Sequence, residues 1–446
     1  MKLIIALALV TLMVSNTEKD KRYLGIPVST IGNALNNHLN NWYPAIIDTI
    51  DGGYYTNLEY NWDIGTNQDK MLVTQARGLW TASIAAAVFP DNKVFKAAAD
   101  HGFRFLTTKM WDNHQGGFRL MYHPNNPDFE EDYNLIYGNA FALFSLAEYA
   151  KINPSAEVLH WVEKTFDWID SVAHDDELLG YNNLLPGEKM KIEIANNTGT
   201  YNKLNWGEPD WKDQNTSIHL LEAFTTAYQV LPLSKIKTRL SEMLLLVRDT
   251  MTQPDGSLKL YFTANWQPID YSGAARETIL EHQLIDHISF GHNIETAYLL
   301  IDAAKTLYGK ADVKTLAVAK TLTDHTLQHG FGPEYYGLYD RGYDFDGKGT
   351  VEIIDRKKSW WAQFEAWHTL ALMADYFPEE QIYPEAFQHM WEYIGKELLD
   401  HKHGGYYNYG LDESPKNKNN RKGHNWKGNY HDGRALLLVW QYANQH

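Results

Sequence analysis

The chain has 446 residues, 44% of them hydrophobic, and a formal net charge of −16 at pH 7. It is long enough to bury a large core, in one large domain or two, and its acidic balance argues against nucleic acid and anionic membrane surfaces as partners. Its lack of cysteine excludes disulfides, and its 15 tryptophans and 28 tyrosines provide many rings that stack on sugars or fill cores.

The N-terminus has the pattern of a secretory signal peptide. Met1 and Lys2 precede an apolar run from Leu3 to Val14, which is too short to span a bilayer. We therefore expect residues 1–16 to be a signal peptide and residues 17–446 to form a single catalytic domain. The mature protein would be exported, either periplasmic or secreted, and would not be held in a membrane.

Glycine turns recur six times along the chain and are followed by helices rich in small and apolar residues. Successive turns lie 64, 64, 76, 81 and 67 residues apart, at Gly52, Gly116, Gly180, Gly256, Gly337 and Gly404. The helices before the turns are more charged. Because a helix that is apolar around most of its circumference is buried, this alternation predicts six inner and six outer helices. The predicted fold is all-α, an (α/α)6 barrel with short hairpins and loops at the active-site end.

Two long connections interrupt the repeats. Residues Asn182 to Gln214 contain several glycines, prolines and asparagines, which predict a long loop. Residues Tyr339 to Ser359 place Asp346 and Gly347 between aromatic and β-branched residues, which predicts a β-hairpin. The stretch from Asp344 to Gly347 also resembles part of a calcium loop, but the sequence lacks the downstream ligands, so a turn is the favoured interpretation.

Polar and aromatic residues occur at the starts of the inner helices, which a barrel brings to one end. Histidine can take and return a proton near neutral pH, arginine can hold an oxyanion, and tryptophan can stack on a sugar ring. Singly, each of these residue types is more often structural; their shared position predicts a functional site. The candidates are Arg77, Tyr137, Asn139, Asn215, His219, His292, Glu295, Trp360, Trp361, Glu365, Trp426, His431 and Arg434.

Other chemistries fit this pattern less well. Glu295 and Glu365 are the best carboxylates for a glycoside hydrolase. A zinc site could use His219, His292 and His431, but no His-x-x-x-His pair supports one, and no metal is predicted. The sequence has no Gly-x-Ser-x-Gly elbow, phosphate-binding loop or dinucleotide fingerprint.

Six motifs at the inner helix starts together resemble the N-acylglucosamine 2-epimerase superfamily, and most closely its branch of cellobiose and mannobiose 2-epimerases. The resemblance extends over nearly the whole chain after the signal. The motifs run from Gln75 to Thr81, Tyr137 to Phe141, Asn215 to Ala223, Ile288 to Glu295, Trp360 to Ala366 and Trp426 to Arg434.

The resemblance implies a sugar 2-epimerase that needs no cofactor. It would interconvert gluco and manno configuration at C2 of the reducing-end residue of a β-1,4-linked disaccharide or oligosaccharide. One histidine removes the C2 proton, a cis-enediolate forms, and a second histidine returns a proton to the other face. By match of motifs, His292 and His431 are this pair, Arg77 stabilises the enediolate, His219 assists ring opening, and Glu295 orients His292.

The same resemblance implies sugar-binding roles for the other candidates, and we expect a monomer or a weak homodimer. Because free histidine titrates near pH 6.5, activity should fall around pH 6 to 7. A monosaccharide epimerase, an aldose–ketose isomerase, a glycoside hydrolase and a catalytically silent sugar-binding barrel remain alternatives. The expected sugar-binding residues are Tyr137, Asn139, Asn215, Trp360, Trp361, Glu365, Trp426 and Arg434.

Five positions depart from the family pattern. Ser217 stands where a second histidine is usual, Phe290 replaces a tyrosine, and Ala362 replaces a proline. Asn429 and Asp432 replace a proline and an asparagine. These changes leave the predicted histidine pair intact and leave the identity of the sugar open, because loops set specificity.

Overall fold

The computed structural model describes residues 21–129, 131–196 and 207–445. The predicted signal peptide, residues 1–16, lies outside the described residues. No helix in the described part of the chain combines the length and the apolar character needed to cross a bilayer.

The described residues form fourteen α-helices. Three of them, α3, α8 and α13, continue into a π-helical turn, at Leu106–Met110, Val247–Met251 and Ile394–Leu398. The helices are α1 (Val28–Trp42), α2 (Leu72–Val88), α3 (Lys93–Phe105), α4 (Ile136–Ile152), α5 (Ala156–Ala173), α6 (Glu188–Ala195), α7 (Gln214–Val230), α8 (Ser234–Leu246), α9 (Arg276–Glu281), α10 (Phe290–Tyr308), α11 (Val313–His329), α12 (Trp360–Tyr376), α13 (Ile382–Tyr393) and α14 (His431–Gln445).

Twelve of these helices form two concentric rings. Around the inner ring α2, α4, α7, α10, α12 and α14 pack in that order, and α14 packs on α2 to close it. The outer helices α3, α5, α8, α11 and α13 each pack on the inner helix before them, and α1 packs on α14. Nearly every residue of α2, α4 and α12 is buried, because neighbours cover these helices on all sides. The predicted (α/α)6 barrel is confirmed.

Most of the short antiparallel strands lie in the connections before the inner helices, whereas β1 and β2 form a hairpin before the outer helix α1. Strands β1 and β2 pair with each other, as do β3 with β4, β5 with β6, and β7 with β8, whereas β9, β10 and β11 form a three-stranded sheet. The strands are β1 (Arg22–Tyr23), β2 (Ile26–Pro27), β3 (Lys70–Met71), β4 (Met121–Tyr122), β5 (Tyr133–Leu135), β6 (Leu184–Pro186), β7 (Lys212–Asp213), β8 (Tyr261–Phe262), β9 (Ile288–Ser289), β10 (Arg341–Asp344) and β11 (Val351–Asp355).

A side-chain amide at the fourth residue of three inner helices holds the preceding glycine turn. In α4, Asn139 accepts from the backbone N–H of Phe118 at 2.8 Å and donates to the carbonyl of the same residue at 3.3 Å. Gln75 in α2 and Gln363 in α12 make the same two bonds to the residue that follows their own turn. These bonds satisfy turn backbone that is buried at the rim of the barrel.

The predictions for the two long connections have different outcomes. The predicted hairpin is confirmed as β10 and β11, and Asp344 caps its tip by accepting from the N–H groups of Gly347 and Gly349 at 3.0 and 2.7 Å. The long loop predicted from Asn182 to Gln214 contains β6, α6 and β7, and residues 197–206 lie outside the described residues. Helix α6 forms because its residues are good helix formers with oppositely charged side chains one turn apart.

Candidate active site

A cavity of about 290 Å³ opens at the end of the barrel where the inner helices begin. Nine of the thirteen residues predicted for the site line it, so the repeat does bring them together. The lining residues are Arg77, Tyr137, His219, His292, Glu295, Asp340, Ser359, Trp360, Trp361, Asn408, Tyr409, His424, Trp426 and His431.

His292 and His431 belong to helices α10 and α14 and lie against the same indole ring. The centroid of the Trp361 ring is 4.9 Å from that of His292 and 5.7 Å from that of His431. Burial lowers the pKa of His292 to about 3, and the Arg77 guanidinium also opposes its protonation. Burial and Arg77 likewise lower the pKa of His431, against the pull of Glu365. Both imidazoles are therefore neutral at pH 7 and can accept a proton.

The two histidines are held at Nδ1 by different groups. Nδ1 of His292 forms a hydrogen bond of 2.7 Å with the Ser289 hydroxyl, at the N-terminal end of α10. Nδ1 of His431 lies 2.5 Å from Oε1 of Glu365, whose pKa is held well below its usual range, chiefly by Arg434. A carboxylate stabilises an imidazolium much more than a hydroxyl does. In both histidines Nδ1 makes the supporting bond, so that bond does not use the second ring nitrogen, Nε2.

The structure corrects the expected role of Glu295. Its carboxyl oxygen Oε1 accepts from Nη2 of Arg434 at 2.6 Å, and Ser289, rather than Glu295, bonds Nδ1 of His292. Burial raises the pKa of Glu295 to about 8, with a further contribution from the nearby Glu365 charge. Glu295 therefore faces the cavity as a carboxyl that holds its proton more tightly than a free one, and its protonated form can donate a hydrogen bond.

A layer of buried charge lies beneath the cavity. Arg434, which is fully buried, contacts Glu222 at 2.5 Å, Glu295 at 2.6 Å and Glu365 at 2.5 Å. Arg434 and Glu365 do not line the cavity, so their expected contact with the sugar is not what the structure shows. They act on the site through His431 and Glu295. Glu222 belongs to this layer and was missed from the sequence, although it lies one helical turn beyond His219.

This charged layer also bears on the hydrolase and metal alternatives. Among the described residues, Glu295, Glu365 and His431 bring ligand-type atoms within 4.8 Å of one another, but the Arg434 guanidinium already bonds both carboxylates. A glycosidase needs two carboxylic acids that flank the bond to be cleaved, and Glu365 is fully buried beneath His431. The three histidines proposed for zinc do not form such a group within the part of the chain that the structure describes.

Arg77 brings a positive charge to the cavity wall without a carboxylate partner among the described residues. Its guanidinium lies over the rings of Phe141 and Tyr430, at 4.3 and 5.1 Å from their centroids, and Nη2 donates to the Tyr137 hydroxyl at 3.4 Å. Aromatic faces attract a cation without neutralising it. The group is therefore available to an oxyanion in the cavity.

His219 and Tyr137 complete the wall on the side of α4 and α7. Nδ1 of His219 lies 3.0 Å from Oε2 of Glu222, and its ring packs edge-on against Tyr137 at 5.5 Å. Burial lowers the pKa of His219, so the ring is neutral. Asn215 does not line the cavity but contacts the Tyr137 hydroxyl. Asn139 does not reach the cavity either, because its amide is used to hold the turn at Phe118.

Comparison with known proteins identifies the family of this chain. The sequence model of the N-acylglucosamine 2-epimerase (GlcNAc 2-epimerase) family matches residues 53–432, which is most of the chain. The chain belongs to the N-acylglucosamine 2-epimerase family. It is an isomerase, a carbohydrate epimerase.

Relatives within this epimerase family cover nearly the whole chain. The cellobiose 2-epimerase of Bacteroides fragilis is 25% identical over 405 residues, which are 89% of this chain and 94% of the relative. Two solved structures share the fold. The cellobiose 2-epimerase of Bacillus thermoamylovorans B4167 has a TM-score of 0.78 at 22% identity, covering 93% of this chain and 99% of the other. A D-mannose isomerase has a TM-score of 0.77 at 21% identity, covering 93% and 98%.

Two of the departures from the epimerase family pattern lie away from the cavity. Ser217 is buried in α7 and donates through its hydroxyl to the carbonyl of Asp213 at 2.7 Å. Phe290 is fully buried at the start of α10. Neither residue lines the cavity of this epimerase. Neither substitution replaces a member of the histidine pair or a group that bonds it.

Five cavity residues of the epimerase were missed by the sequence analysis. They come from the turns and strands of the fifth and sixth repeats, where no helical or strand periodicity marks them. Two local signals were available: Asp340 follows the Gly337 turn directly, and Ser359 directly precedes Trp360 and Trp361. The five are Asp340, Ser359, Asn408, Tyr409 and His424.

Proposed function

We propose that this epimerase inverts C2 of the reducing-end glucose or mannose residue of a β-1,4-linked disaccharide or short oligosaccharide. The observation that carries the proposal is a pair of neutral histidines, His292 and His431, both beside the Trp361 ring, in a cavity where Arg77 has no carboxylate partner among the described residues. Two neutral bases from different helices suit a reaction in which a proton leaves one face of a carbon and returns to the other.

The reaction begins with ring opening to the free aldehyde. His219 and the protonated form of Glu295 supply a base and an acid for moving the proton between the ring oxygen and O1. One of the two histidines then removes the C2 proton, and Arg77 stabilises the negative charge that develops on the enediolate oxygens. Rotation about C2–C3 presents the other face, and the second histidine returns a proton.

Two tryptophans of the cavity support a substrate longer than one sugar residue. Trp361 provides a ring face beside both histidines, where the reacting residue stacks. Trp426 lies at the cavity mouth with 42% of its surface exposed, and its ring centroid is 6.4 Å from that of Tyr137. An exposed indole at the mouth suits the next sugar residue, and the names of the curated relatives support a cellobiose-type substrate.

Proton NMR in heavy water with cellobiose, β-1,4-mannobiose and free mannose tests the proposal. Deuterium at C2, with formation of the C2 epimer of a disaccharide, is the expected result. Ketose formation would instead indicate an aldose–ketose isomerase, and turnover of mannose alone would indicate a monosaccharide enzyme. Release of monosaccharides would indicate a hydrolase. The His431→Asn variant should lose turnover by orders of magnitude.

We also propose that the enzyme acts outside the cytoplasm, on the basis of the apolar run from Leu3 to Val14 after Lys2. Mass spectrometry of the N-terminus of the enzyme recovered from the periplasm or the medium tests this. An enzyme that stays in the cytoplasm and retains Met1 and Lys2 would contradict it.

A further inference from the structure

Asp340 lies in the cavity wall with one of its two carboxylate oxygens bonded and the other open. It directly follows the fifth glycine turn and precedes β10, and its carboxyl oxygen Oδ1 accepts from the Ser359 hydroxyl at 2.7 Å. Within the described residues, Oδ2 has no hydrogen bond and the carboxylate has no ion-pair partner. Asp340 is only partly buried, so Oδ2 stays open to the cavity. Burial raises the pKa of Asp340 and the Asp355 charge adds to that effect, whereas the Ser359 bond and the charges of Arg341 and Lys357 oppose it. An open carboxylate oxygen can accept from a bound hydroxyl.

The position of Asp340 relates it to the proton-transfer pair. Arg341, the next residue, is the strand partner of Ser289, whose hydroxyl holds Nδ1 of His292. On the other side, Ser359 directly precedes Trp360 and Trp361, and Trp361 contacts both histidines. Asp340 is thus connected by short segments to both His292 and the stacking ring, on the wall contributed by the fifth repeat.

We propose that Asp340 is a specificity-determining residue that accepts hydrogen bonds from hydroxyls of the reacting sugar residue and selects neutral sugars over anionic ones. This inference rests on the proposed function and adds a substrate class to it. Sugar hydroxyls supply the donors that the free oxygen lacks, and a hydrogen bond to a charged acceptor is stronger than one between neutral groups. A phosphate or carboxylate on the sugar would instead be repelled by Asp340.

A simpler role for Asp340 is to hold Ser359 at the start of α12. The two roles predict different results for Asp340→Asn and Ser359→Ala. If Asp340 only anchors the serine, Asp340→Asn has no larger effect than Ser359→Ala, because asparagine keeps an oxygen that accepts from the Ser359 hydroxyl. If Asp340 binds sugar, Asp340→Asn is much the more damaging variant. Asp346→Asn is a matched control, since Asp346 lies at the exposed tip of the same hairpin.

The test measures kcat and KM for cellobiose and mannose, with sugar affinity by calorimetry and glucose 6-phosphate as a competitor. Asp340→Asn should lower kcat/KM about 10- to 100-fold for both sugars, mainly through KM, which is the range for loss of a hydrogen bond to a charged group. It should also tighten inhibition by glucose 6-phosphate about fivefold. Asp346→Asn should match the wild type.

Three results would overturn the inference. The first is an unchanged sugar affinity in Asp340→Asn, and the second is an equally small loss of kcat/KM in Asp340→Asn and Ser359→Ala. The third is a loss of kcat/KM for the disaccharide alone, which would place Asp340 at the second sugar residue. A wild-type enzyme without turnover of any sugar would refute the proposed function instead. Thermal unfolding of each variant separates these results from misfolding, because a folded variant keeps the wild-type transition.

Discussion

The Glu365→Gln substitution tests whether His431 depends on its carboxylate partner. Oε1 of Glu365 lies 2.5 Å from Nδ1 of His431, whereas Nδ1 of His292 has only the Ser289 hydroxyl, at 2.7 Å. Glutamine keeps the shape and an acceptor oxygen, so it preserves the tautomer of His431 while removing the charge. The substitution should therefore weaken proton transfer by His431 and leave proton transfer by His292 intact.

The magnitude follows from the bonds that are lost. A hydrogen bond to a charged group contributes about 1.5 to 3 kcal/mol, so the step that uses His431 should slow about 10- to 150-fold. Folding should survive, because Arg434 keeps Glu222 and Glu295 as partners at 2.5 and 2.6 Å. We expect a loss of about 1 to 3 kcal/mol in the free energy of unfolding.

The assay follows exchange of the C2 proton with heavy water, starting separately from each of the two epimers. In Glu365→Gln, the epimer that is deprotonated by His292 should still take up deuterium, mostly without inversion, and the other should exchange about 10- to 150-fold more slowly than in the wild type. Glu222→Gln is the control: it also removes a carboxylate from Arg434, but it supports His219 and should slow both epimers equally. Equal slowing of C2 exchange from both epimers in Glu365→Gln, or exchange within about threefold of wild type from both, would refute the reasoning.

Three further substitutions or conditions test other parts of the site. Ser289→Ala should lower kcat about 2- to 12-fold with little change in KM, since it removes one neutral hydrogen bond that orients His292. Steady-state kinetics measures both constants, and a higher KM with unchanged kcat would contradict this. Because burial lowers the pKa of His292 from 6.5 to about 3, its neutral form and its contribution to stability are fully present above pH 6.5. On the acid side, kcat/KM should then fall only below pH 5, rather than at the pH 6 to 7 expected from the sequence. The Tm should decline as the pH falls from about 6.5 towards 3. A midpoint near pH 6.5 in either profile would contradict this. Arg434→Met leaves buried carboxylates without their cation and should destabilise the protein by about 3 to 5 kcal/mol in denaturant unfolding, whereas an unchanged midpoint would show that the charged layer has little effect on stability.

The barrel and most of the cavity could be predicted from sequence because their signals are local. Each repeat carries its own glycine turn and its own apolar helix, and a polar residue near a helix start faces the open end wherever that helix lies in the ring. The partner of Glu295 could not be predicted in this way. The spacing from His292 to Glu295 fits a contact within one helix, but the carboxyl bonds Arg434 from another helix, 139 residues away in sequence.

The sequence contained a signal that Asn139 holds a turn rather than lining the cavity. Amides occupy the fourth position of α2, α4 and α12, and each holds a turn, so the same residue type repeats because the same structural need repeats. The sixth position varies more, with Arg77, Phe141, His219 and Glu295 in α2, α4, α7 and α10, although α12 repeats the glutamate as Glu365. Residues that build a single site have no reason to repeat. Variation at equivalent positions was therefore the better guide to the cavity.

The closure of the ring has a consequence for how activity appears during synthesis. Arg77 belongs to the first inner helix, His431 begins the last, and α14 packs on α2. A growing chain can bury several repeats before α14 emerges, but until then it lacks His431, the second of the two bases. Partly made or C-terminally truncated chains are therefore unable to invert a sugar, and the first turnover requires the ring to have joined its two ends.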